Sequence, residues 1–94
     1  MTEFGKRLKG LRESIPGLDA KGLSVLAGLH PSHVGRIESG SLRNVQAATA
    51  CALARVLGVS VEWLVLGEGR TPDRERVALS VTRARLAHRS EVRA

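Results

Sequence analysis

Glycine punctuation is the strongest constraint on what this chain can fold into. Up to residue 69, each apolar stretch with helical spacing is soon cut off: at Pro16-Gly17, Gly28, Gly40, Gly58 and Gly67. Between these stops the periodicity is helical. Phe4, Leu8, Leu11 and Ile15 predict a helix from Thr2 to Ser14. Asp19 is a good N-cap for a second helix, Ala20 to Ala27, with Leu23, Leu26 and Ala27 inward. A third is expected from Pro31 to Ser39, with His30 as its cap, Pro31 in the first turn, and Val34 and Ile37 on its inner face. Val45, Thr49, Ala52, Leu53 and Val56 mark a fourth. Ser60 caps a fifth that turns Val61, Leu64 and Val65 inward. No stretch alternates at period two long enough to make a strand. The expected fold is all-α, a five-helix domain followed by a helical tail.

The boundary falls at Gly67-Glu-Gly-Arg-Thr-Pro72, which reads as a linker. Residues 1–69 form one domain and residues 70–94 a basic C-terminal tail. Thr71-Pro72-Asp73 is a helix start. Beyond it, Val77, Val81, Ala84 and His88 keep helical spacing, while Leu79 and Leu86 fall on the other side. Three roles stay open for this tail: packing on a partner subunit, folding back on its own domain, or acting as a mobile basic arm. The five-helix unit is expected to be complete without it.

Composition removes several function classes. Phe4 and Trp63 are the aromatic residues and there is no tyrosine, which argues against modules that stack single-stranded bases on exposed rings. The single cysteine, Cys51, excludes an internal disulfide and a multi-cysteine zinc site. It is expected to be buried and inert. His30, His33 and His88 lack zinc-ligand spacing, so no metal and no cofactor is expected. No Ser/His/Asp set, carboxylate pair or phosphate-cradling loop appears, so the chain is not expected to be an enzyme. No apolar run reaches the length of a membrane span and the first residues carry no signal-like stretch; a cytoplasmic protein without membrane contact is expected. The formal net charge is +6. That balance points to a polyanionic partner, with nucleic acid first among the candidates.

The informative segment runs from Leu18 to Gly40. Two short helices meet at a tight turn containing Gly28, where a left-handed backbone permits an abrupt change of direction. Small Ser24 lets the second helix approach closely. Leu23, Leu29, Val34 and Ile37 can form the apolar seam. Such a pair holds its second helix out as a rod that fits the major groove of DNA.

On these residues the chain resembles the phage-repressor and Cro-like helix-turn-helix family, also called the XRE family. The matching pieces are Phe4-Gly-Lys-Arg-Leu-Lys-Gly-Leu-Arg12, then Gly28 to Gly40, then Leu53 to Gly67, in the family's order. The chain departs from the family pattern at Ala20, where a phosphate-binding glutamine is usual, at Ser24 for alanine, and at Val45 for proline.

The resemblance implies that Arg36 contacts a base or a phosphate, with Ser32 and His33 at the groove end of the third helix. Pro31 and His30 fall beside them. Gly35 would let the backbone approach DNA closely. Arg43 and Asn44 are implied to follow the phosphate backbone from the next loop. Arg12 and Glu38 match the family's structural ion pair. Trp63 is expected at the edge of the core, with a dimer contact as the other reading. The expected function is sequence-specific binding of double-stranded DNA, as a transcriptional repressor acting as a homodimer on a pseudo-palindromic operator. The alternative is an antitoxin or adaptor that holds a partner protein through its tail.

Overall fold

A computed structural model describes residues 2–93. Six helices follow one another: α1 (Glu3–Glu13), α2 (Ala20–Leu26), α3 (His33–Ser39), α4 (Ala47–Leu57), α5 (Val61–Leu66) and α6 (Arg74–Arg93). The all-α expectation holds, and there is no strand among the described residues. Side-chain caps start three of the helices. Gly5 N–H donates to Thr2 Oγ1, Gly22 N–H to Asp19 Oδ1, and Trp63 N–H to Ser60 Oγ, each satisfying a donor that a first turn leaves without a partner.

The core is continuous. Leu8 of α1, Leu23 of α2, Val34 and Ile37 of α3, Leu53 and Leu57 of α4 and Leu64 of α5 are fully buried in it. Trp63 packs half-buried at its edge, as expected. Two arginines on the outside close helix ends. Arg7 donates from Nε to Leu64 O at 2.9 Å and from Nη2 to Val65 O at 2.7 Å, which satisfies carbonyls at the end of α5. Arg74 Nε donates to Ser14 O at 3.3 Å, tying the start of α6 to the end of α1.

Of the three roles left open for the tail, the structure shows the second: it folds back on its own domain. Val77 and Val81 are 1 % and 0 % exposed and belong to the same core as α1–α5. The helix lies on α4 and α2. Ser80 Oγ donates to Val56 O at 2.9 Å, and the absence of a side chain at Gly58 gives Ser80 its place. Leu79 and Leu86 point outward, 52 % and 58 % exposed. The i, i+4 spacing of Val77 and Val81 fits any apolar cover, and here the chain itself supplies the cover.

Three local expectations are corrected. Cys51 is exposed, not buried. The buried positions of α4 are Thr49, Ala50, Leu53, Ala54, Val56 and Leu57, and at about 100° per residue Cys51 lies roughly opposite Leu53. Helix α3 starts at His33, not Pro31, and Ser32 is its N-cap rather than His30. The imidazole of His30 explains the delay: its Nδ1 accepts Ser32 N–H at 3.1 Å and lies 2.8 Å from Ser32 Oγ, closing a local turn before the helix begins. Helix α4 starts at Ala47 after an extended Gln46, so Val45 precedes the helix.

Candidate nucleic-acid interface

The α2–turn–α3 unit is held by bonds that cross the turn. Gly28 adopts φ +74°, and Leu29 N–H then donates back to Ser24 O at 2.9 Å. The fully buried Ser24 hydroxyl donates to Ala20 O at 2.9 Å and accepts Val34 N–H at 3.0 Å. One hydroxyl therefore satisfies a first-turn donor of α3 from the preceding helix, in place of the missing side-chain cap at Ser32. The sequence signal for this was a serine in a seam position; its size was legible, its bonding was not.

The inner face of α3 comprises Val34, Ile37 and Glu38. Glu38 is 7 % exposed and fully engaged. Arg12 donates to it from Nε at 2.8 Å and from Nη2 at 2.9 Å, and from Nη1 to Leu18 O at 3.1 Å. This two-pronged bond to Glu38 pushes the Arg12 pKa above its ordinary value, against the opposing effect of burial. The pair fixes α3 against α1 and the α1–α2 loop. It also leaves the outer face of α3 without a carboxylate, because Glu38 is the acidic residue of that helix.

That outer face carries Ser32, Gly35 and Arg36 in i, i+3, i+4 register. Ser32 and Arg36 are exposed, and His33 and Gly35 are half-exposed. A Cβ added at Gly35 would meet nothing within 4 Å, so the backbone there is open to an approaching surface. His30 and Pro31 are exposed immediately before the helix. Arg43 and Asn44 are exposed in the loop that follows. The end of α3 anchors this loop: Arg36 O accepts Leu42 N–H at 3.0 Å and the hydroxyls of Ser39 and Ser41 at 3.2 and 3.3 Å. The sequence-predicted residues thus lie on one helix and its two flanking segments.

An apolar groove, not legible in the sequence, adjoins that loop. Phe4, Val45, Cys51, Val61, Val65 and Leu66 line it, with Arg43 and Asn44 at one edge and Glu62 among its walls. Leu66 is 61 % exposed there.

A helix held out by a buried seam, with hydrogen-bonding and cationic side chains along its free face, defines a DNA-binding helix-turn-helix. The family model described as helix-turn-helix domain matches residues 3–64, and the chain belongs to this family of XRE-like DNA-binding domains. The match stops before α6. No curated protein and no solved structure matches the chain. No helix among the described residues is long and apolar enough to cross a membrane.

Proposed function

We propose that this protein binds double-stranded DNA sequence-specifically and represses transcription as a homodimer on a pseudo-palindromic operator. The observation that carries the reading is the free face of α3: Ser32, Gly35 and Arg36 in one row, without a competing carboxylate. An arginine in that place can give two hydrogen bonds to guanine O6 and N7. Arg43 and Asn44 fit phosphate contacts that set the register. His30, Pro31 and His33 flank the row, and the proposed complex assigns His33 and Ser32 to base edges.

A dimer is favoured by the apolar groove beside Arg43, since one such domain covers few base pairs and a two-fold pair doubles the readout. Selection of binding sites from random duplexes tests the whole reading. An enriched motif with two-fold symmetry is expected; a pool without enrichment overturns it.

The adaptor reading keeps one specific observation in its favour, the outward Leu79 and Leu86 of α6. A partner held there would co-purify with the protein and be lost on Leu79→Glu.

A further inference from the structure

We infer that α6 is part of the DNA interface: Arg85, with Lys21 of α2, grips the phosphate backbone beside the half-site. The inference rests on the DNA-binding reading above and adds a second element to it. Because Val77 and Val81 dock α6 onto the domain, the later turns of that helix are fixed relative to α2. Arg85 and His88 of α6 wall one cleft together with Asp19, Lys21 and Gly22, the first turn of α2.

The charges in this cleft are not spent internally. Neither Lys21 nor Arg85 has a carboxylate partner among the described residues. Asp19, the acidic group of the cleft, is exposed and is engaged as the cap of α2, accepting Gly22 N–H at 2.6 Å. Lys21 is exposed and Arg85 half-buried, and an arginine in such a position can pack its stem while keeping its head in water. In a helix-turn-helix complex the first helix crosses the phosphate backbone. Ala20, at the start of α2, has no side chain that can reach a phosphate. A guanidinium from α6 supplies the missing donor, and two cations on neighbouring helices suit a row of phosphates rather than a base edge.

The test is a salt titration of binding to a 30-base-pair duplex of random sequence, by fluorescence anisotropy. Arg85→Ala is expected to lower the slope of log K against log salt by about one unit. Arg85→Lys should keep the slope. Arg76→Ala is the control: Arg76 lies nine residues away, half a turn around the helix from Arg85, on the cleft formed with Gly58 and Ser60, and it should leave the slope unchanged. If Arg85→Ala binds with the wild-type slope, or if Arg76→Ala loses as much, the cleft of Arg85 and Lys21 is not a specific phosphate grip and the inference falls while the DNA-binding reading stands. If the wild-type protein does not bind the duplex at all, both fall together.

Discussion

Val34 and Ser24 are joined across the turn of the helix-turn-helix: the N–H of Val34 donates to the Ser24 hydroxyl at 3.0 Å inside the core. This bond replaces a helix cap, and no side chain of α3 substitutes for it. Ser24→Ala removes the acceptor and leaves the buried N–H without a partner. A loss of about 1–2 kcal/mol is expected, read from the urea midpoint. An unchanged midpoint would show that the hydroxyl contributes nothing.

The Arg12–Glu38 pair orients α3 and does not face its free side. Removing one partner strands a buried charge, so Arg12→Met or Glu38→Gln should each cost about 3 kcal/mol. The double variant should be far less unstable than the sum of the two. Thermal melts of the set give the coupling directly, and additive losses would mean that the two groups do not interact. Operator affinity should fall with folding rather than through loss of a contact.

Gly28 and Gly58 share a left-handed backbone, at φ +74° and +70°. Alanine at either is strained by roughly 1 kcal/mol. At Gly28 the added Cβ meets nothing within 4 Å, whereas at Gly58 it would sit 2.7 Å from Ser80 Cβ. Gly58→Ala should therefore be clearly more destabilising than Gly28→Ala, and Ser80→Gly should remove most of the difference. Equal costs would contradict the close docking of α6 on the end of α4.

Most helices were legible because each obeys a local rule: an apolar stripe, a capping oxygen, a glycine stop. Asp19 and Ser60 cap as their residue types predict. The start of α3 was misplaced because Pro31 favours a first helical position, while the His30 ring draws Ser32 N–H into a turn. Cys51 was misassigned because a run of small residues, Ala50-Cys-Ala, hides which side of α4 meets the core. The candidate contact residues came from the family resemblance, and the structure shows Ser32, Gly35 and Arg36 of that set sharing one face. The cover of Val77 and Val81 was not, since the same spacing serves a partner or the chain's own domain.

That cover makes the tail structural. Deleting residues 70–94 uncovers the core at Val56 and Leu57 of α4, which sit in one cluster with Val77 and Val81. Two fully buried valines contribute on the order of 3 kcal/mol, a large part of the 5–15 kcal/mol that keeps a domain folded. The truncated protein is expected to melt well below the full chain, and Val81→Ala to lose about 2 kcal/mol. A truncated protein with an unchanged melting temperature would show that α1–α5 are self-sufficient.

Arg36 and Arg43 are both exposed, yet they differ in what their removal should do. Arg36 stands in the exposed row of α3, beside the bare backbone at Gly35, the row proposed to meet base edges. Arg43 stands on the loop after the helix, held by the bonds that converge on Arg36 O. Arg36→Ala should cost about 1–3 kcal/mol on the selected duplex and relax preference at a single base position. Arg43→Ala should weaken selected and scrambled duplexes alike and lower the salt slope by about one unit. Titration of both variants against both duplexes separates the roles. If Arg36→Ala keeps full affinity and preference on the selected duplex, the assignment of Arg36 to base contact fails, and specificity must come from Ser32 and His33 at the start of the helix.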